Sequence, residues 1–82
     1  MSDIADRVRK VVAKQLKVDA ARVIDGAEFV KDLGAESLQS IELVAAFEEE
    51  FDIEMDEEAA LQVKTVGKAI DFITKAVKTQ HG

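Results

Sequence analysis

Ser37-Leu38-Gln39-Ser40-Ile41-Glu42-Leu43-Val44-Ala45-Ala46-Phe47-Glu48-Glu49-Glu50-Phe51 reads as one helix, starting near Glu36-Ser37 and running to about Phe51. At about 100° per residue, Leu43, Val44, Phe47 and Phe51 fall within one sector roughly 100° wide, which is a core stripe. Leu38, Ile41 and Ala45 fall on roughly the opposite side, interleaved with Glu42, Glu48 and Glu49. A second apolar strip framed by carboxylates is either covered by more chain or offered to a partner. With 82 residues in all, little chain is left to cover it, so the strip reads as a partner surface.

Outward from this helix the pattern stays helical. Ile4, Val8, Val11, Val12 and Leu16 recur at helical spacing behind Ser2, the expected N-cap, with Arg7, Arg9, Lys10 and Lys14 mostly on the outer face. Val18 to Gly34 carries Asp25-Gly26 and Leu33-Gly34 and reads as a long ordered connection, pinned to the core by Val23, Phe29 and Leu33. Loops of this length in small domains are commonly functional. A short helical turn over Glu57–Gln62 and a last helix over Val66–Val77, capped by Thr65, complete the chain. The predicted class is all-α: a four-helix bundle of three longer helices and one short one, with a long loop after the first, forming a single domain over residues 1–82.

Composition removes several function classes. Hydrophobic residues are 48% and charged residues 34%, too apolar for a disordered tail and too charged for a membrane span. The start, Met1-Ser2-Asp3-Ile4, lacks the basic and apolar blocks of a signal peptide, so the expected location is the cytoplasm and the expected state a monomer. Without cysteine there is no disulfide, thiolate metal site or thiol nucleophile. The single His81 stands beside the C-terminal Gly82 and reads as a tail residue, which makes a catalytic triad or a histidine metal site a poor fit. Asp52-x-Glu54-x-Asp56 has Glu57 and Val63 where a calcium loop needs Gly and Glu, so no metal is expected. Between Asp32 and Val63 stand eleven acids and no Lys or Arg. That field repels nucleic acid and attracts basic protein surfaces.

Ser37 is the remaining chemical candidate. It stands at a loop-to-helix junction, where unpaired N–H groups and the helix dipole favour an anion. The simpler reading makes it an N-cap serine in an acidic, helical interaction module with no covalent cofactor. No His or Lys lies near it in sequence, so a base would have to come from another enzyme.

Asp32-Leu33-Gly34-Ala35-Glu36-Ser37-Leu38, followed by Ile41-Glu42-Leu43 and Glu48-Glu49-Glu50-Phe51, resembles the attachment motif and second helix of acyl carrier proteins. Val8 and Leu16, Phe29-Val30-x-Asp32-Leu33 and Thr65-Val66-x-x-Ala69-Ile70-x-Phe72-Ile73 fit the same pattern, so the resemblance spans nearly the whole chain. It implies a non-catalytic carrier with phosphopantetheine joined to Ser37 through a phosphodiester and acyl groups held on the arm as thioesters. It also implies a recognition face of Glu36, Leu38, Ile41, Glu42, Ala45, Glu48 and Glu49. The implied partners are a phosphopantetheinyl transferase and acyl-processing synthases and acyltransferases with basic docking patches. The expected lining for a sheltered acyl chain is Val8, Val12, Phe29, Leu43, Val44, Phe47, Ala69 and Ile73. Glu36, Gln39, Ala45 and Asp56 stand where the family usually has Asp, an acid, Met and Pro. These departures point to a specialised carrier as readily as to the general one of fatty-acid biosynthesis.

Overall fold

The computed structural model describes residues 3–82 and places helix α1 at Asp3–Leu16, α2 at Ser37–Phe51, α3 at Glu57–Ala60 and α4 at Val66–His81. Ser2, the expected cap of α1, lies outside the described residues. The all-α bundle of three long helices and one short one is as the periodicity predicts, and among the described residues there is no strand. The last helix runs one turn beyond Val77, and the long loop contains a short 3-10 turn, Ala20–Arg22, that its apolar pattern does not announce. Asp19 caps that turn by accepting the Ala21 N–H at 3.0 Å.

Val8 and Val12 of α1, Val23 of the loop, and Val66 and Ile73 of α4 are the most deeply buried large side chains. Burying a side chain of this kind stabilises the fold by about 1.5–3 kcal/mol. Phe47, Phe51, Leu43 and Ile53 close the core from the α2 side. Among the described residues, no buried polar or charged residue interrupts it.

The long loop is tied to the start of α4. Phe29 N–H donates to the Lys64 carbonyl at 3.0 Å, Val66 N–H to the Ala27 carbonyl at 3.0 Å, and Gly67 N–H to the Asp25 carbonyl at 2.9 Å. These bonds surround one isolated antiparallel bridge, Glu28 to Thr65. Gly67 eases this approach: a Cβ there would stand 3.1 Å from the Asp25 carbonyl oxygen, close enough that the loop would have to give by a few tenths of an ångström. The apolar loop residues Ala27, Phe29, Leu33 and Ala35 can then be buried while the backbone polar groups remain paired.

The C-terminal end of α2 needs outside help. Its last turn is acidic and has no basic residue, so its own side chains oppose the helix dipole. Hydrogen-bond donors arrive from both neighbours, and a cation from α1. Arg7 of α1 lies 4.4 Å from the Phe51 ring centroid, donates from Nε to the Glu50 carboxylate at 2.8 Å and also donates to the Glu50 carbonyl at 2.6 Å. His81 of α4 places Nε2 2.6 Å from the Asp52 carbonyl oxygen and 3.2 Å from that of Phe51. The reading of His81 as a plain tail residue is thus corrected: the extra turn of α4 carries it to the end of α2.

Candidate functional site: the start of α2 and the cavity behind it

The turns before α2 determine how Ser37 is presented. Asp32 accepts the Glu28 N–H through its carboxylate at 2.7 Å, while its own N–H donates to the Glu28 carbonyl at 2.9 Å. Arg22 donates to the Asp32 carbonyl at 2.8 Å, fixing the far side of the turn. Gly34 follows with φ 73°, a left-handed conformation that favours glycine, and open space lies around the position its Cβ would take. Ala35 N–H then donates to the Phe29 carbonyl at 2.8 Å, and the chain enters α2.

Ser37 is the first residue of α2 and is exposed. It is not the N-cap, which corrects the reading of this serine as a capping residue. Glu36 holds that position, and its N–H donates to the side-chain oxygen of Gln39 at 2.9 Å. Gln39, which stands where the family usually has an acid, is half-buried and employed in this capping contact. The helix start is thus organised without the Ser37 hydroxyl, which leaves that group open to reaction.

Along α2 the two stripes separate as the helical wheel predicts. Leu43, Val44, Phe47 and Phe51 are buried. Leu38 is 66% exposed and Ile41 44%, with Glu36, Glu42, Ala45 and Glu49 exposed around them. Glu48 differs from the rest of the expected face. It is half-buried, and its carboxylate accepts the Met55 N–H at 2.9 Å, which ties the loop after α2 back onto the helix.

A cavity of about 470 Å³ opens behind α2. Ser40, one turn beyond Ser37, lies on its wall, followed by Leu43, Val44 and Phe47. Phe29, Val30 and Lys31 of the loop form a second side, and Ala69, Phe72 and Ile73 of α4 a third. Met55, Ala60, Leu61 and Val63 complete it around α3. Of the expected lining, Val8 and Val12 do not reach this cavity; both are 0% exposed and belong to the core contributed by α1. Met55, Leu61, Val63 and Phe72 are wall residues that sequence reasoning missed. Phe72 was within reach of the helical repeat, being three residues after Ala69 and adjacent to Ile73.

The residues suit a phosphopantetheine group. A spare hydroxyl stands at the first position of a helix, where the N–H groups favour an anion, open space lies around Gly34 ahead of it, and the cavity begins one turn away. Among the described residues no cluster of His, Cys, Asp and Glu could hold a metal, and no helix is long and apolar enough to cross a membrane.

Comparison with known proteins agrees with this geometry. The family described as the phosphopantetheine attachment site matches residues 6–73. The acyl carrier protein of Sinorhizobium fredii is 57% identical over 76 residues, which is 93% of this chain and 97% of that relative. The acyl carrier protein AcpP of Rhizobium meliloti is likewise 57% identical over 76 residues, with the same shares covered. The chain therefore belongs to the acyl carrier protein family, whose members carry acyl chains on a covalently bound phosphopantetheine.

Proposed function

We propose that this protein is a non-catalytic carrier, a single domain in which Ser37 bears the phosphopantetheine and partner enzymes perform the chemistry. The observation that carries this reading is the Ser37 hydroxyl, exposed at the first position of α2 while Glu36 and Gln39 organise the helix start. Phosphopantetheine supplies a thiol, absent from this cysteine-free chain, on which an acyl group is held as a thioester. Ser37 contributes its hydroxyl oxygen to the phosphodiester as the pyrophosphate linkage of coenzyme A breaks, adenosine 3′,5′-bisphosphate leaves, and the hydroxyl proton goes to a base from the transferase. The open N–H groups at the start of α2 favour the resulting negative charge.

Leu38, Ile41 and Ala45 form the apolar centre of the docking face, framed by the Glu36, Glu42 and Glu49 carboxylates, for transferases, synthases and acyltransferases with basic patches. Glu48 contributes from the edge while holding Met55. The acyl cargo lies in the cavity against Phe29, Leu43, Val44, Phe47, Ala69 and Ile73, where each methylene removed from water gains about 0.8 kcal/mol. Fatty-acid biosynthesis in the cytoplasm is the setting that accords with the similarity to AcpP.

Intact-mass measurement after incubation with coenzyme A, magnesium and a phosphopantetheinyl transferase tests the assignment. The wild-type chain gains one phosphopantetheine and Ser37→Ala gains none. Modification of the alanine variant would move the attachment to another residue.

A further inference from the structure

Between Asp32 and Val63 stand eleven acids and no Lys or Arg, yet the first turn of α2, Ser37-Leu38-Gln39-Ser40, carries no charge at all. Arg22, the cation that reaches the preceding turn from the loop, donates to the Asp32 carbonyl at 2.8 Å. A phosphodiester on Ser37 therefore meets neutral donors before it meets any lysine or arginine of this stretch. Backbone N–H groups at the helix start are one set of such donors. The Glu36 N–H is not among them, because it is already spent on Gln39.

The Gln39 carboxamide is fixed at one end and free at the other. A backbone N–H can only donate, so the amide oxygen faces Glu36, at 2.9 Å, and Nε2 keeps both of its hydrogens. Nε2 has no hydrogen-bond partner among the described residues. No buried side-chain nitrogen or oxygen among them is left without a partner, so this end of the amide is open to solvent. Because Oε1 touches the nitrogen of the residue just before Ser37, the carboxamide lies at the mouth of the helix, beside the attachment position. Gln39 is half-buried, which with the bond to Glu36 restricts its movement away from that mouth.

We propose that Gln39 is a positioning residue for the prosthetic arm: its Nε2 donates to a phosphodiester oxygen while its Oε1 caps the helix. This rests on the reading that Ser37 bears the phosphopantetheine. A glutamate at this position would accept the same Glu36 N–H, and its charge would suit the start of a helix. It could not donate, and with the exposed Glu36 it would set a second carboxylate against the phosphodiester. Capping alone therefore does not select an amide at position 39, whereas an anion attached to Ser37 does. A hydrogen bond to a charged acceptor is roughly twice as strong as one between neutral groups, so the contact restrains the base of an otherwise flexible arm.

The test compares the unmodified protein with the protein bearing the arm, loaded from coenzyme A by a transferase until intact mass shows a single addition. In NMR spectra of the wild type, the Nε2 hydrogens of Gln39 move downfield and exchange more slowly once the arm is attached. Those of Gln80, whose Nε2 already donates to the Glu54 carbonyl beyond the far end of α2, stay where they are. The thermal midpoint gives a second readout, taken as the loaded value minus the unmodified one. In Gln39→Glu, which keeps the cap, this difference falls below that of the wild type by roughly 2–8 °C, and raised salt narrows the gap. The wild-type spectra decide alone should the variant load incompletely or fail to fold. A Gln39 amide that does not move in protein whose arm is on Ser37 overturns the proposal, as does an equal midpoint difference in wild type and Gln39→Glu, and both leave the attachment reading intact. Gain of the arm by Ser37→Ala refutes the attachment reading itself, and the proposal with it.

Discussion

Replacing Arg7 by alanine removes more from this fold than an ordinary surface arginine would. Its ion pair with Glu50 joins side chains that are 44% and 39% exposed, so solvent screening holds that contribution to about 0.2–1 kcal/mol. The stacking on Phe51 at 4.4 Å adds about 0.5–1 kcal/mol. The bond to the Glu50 carbonyl at 2.6 Å satisfies an acceptor in the last turn of a helix, for about 1 kcal/mol more. The three share one side chain and are not strictly additive, so Arg7→Ala should cost about 2–3 kcal/mol. For a domain of this size that lowers the thermal midpoint by roughly 10–20 °C. Arg7→Lys keeps the charge and loses the fork, and should recover about half of the loss. Lys10→Ala, at an exposed position on the same helix, should stay within about 0.5 kcal/mol of wild type. Urea unfolding of the three variants against wild type measures these differences. An Arg7→Ala loss below about 0.5 kcal/mol would show that the end of α2 does not depend on the Arg7 guanidinium.

Two further outcomes follow from the start and the outer face of α2. Ser37→Ala should leave stability within about 0.5 kcal/mol of wild type, whereas Gln39→Ala, which removes the acceptor for the Glu36 N–H at 2.9 Å, should cost about 0.5–1 kcal/mol; denaturant midpoints separate the two. Glu42→Lys should slow association with the transferase and raised salt should slow the wild type, while Ile41→Ala, at a residue 44% exposed, should mainly speed dissociation; stopped-flow binding at two ionic strengths reads both, and salt-independent association would refute the steering role of the acids.

The bundle was legible because its buried positions follow the helical repeat, and the two stripes of α2 come from that repeat alone. The mismatches arise where side chains bond across elements. Glu48 and Glu49 look alike in sequence, yet only Glu48 turns inward to take the Met55 N–H, because the loop after α2 folds back beside it. Ser37 and Glu36 compete for the cap position, and the decision lies with Gln39, whose reach back to the Glu36 N–H depends on the backbone angles of Glu36. His81 acquires partners only because α4 is long enough to pass the end of α2. Val8 and Val12 were grouped with the cavity wall because both are apolar and inward-facing. Periodicity reports that a residue faces inward and is silent on which neighbour it meets.

That misplacement of Val8 and Val12 exposes how one small core serves two demands. A domain of about 80 residues is marginal even when fully packed, so an open cavity within it must be matched by close packing elsewhere. Here α1 supplies the packed side, where Val8, Val12, Val66 and Ile73 are sealed completely. The opposite side is built from an irregular loop and α3, a helix of 4 residues with only Ala60 buried. Short elements with few buried groups open at low free energy, whereas the long helices do not. On the reading that cargo occupies the cavity, Leu61 and Val63 are the wall residues placed to shift for it, while α1 and the inner stripes of α2 and α4 keep the fold. Ile73, on α4, belongs to both sides: 0% exposed, it packs in the core and also forms part of the cavity wall. On the proposed reading, cargo seated there would add contacts to the same core that holds the bundle closed and so stabilise the fold by binding the native state alone.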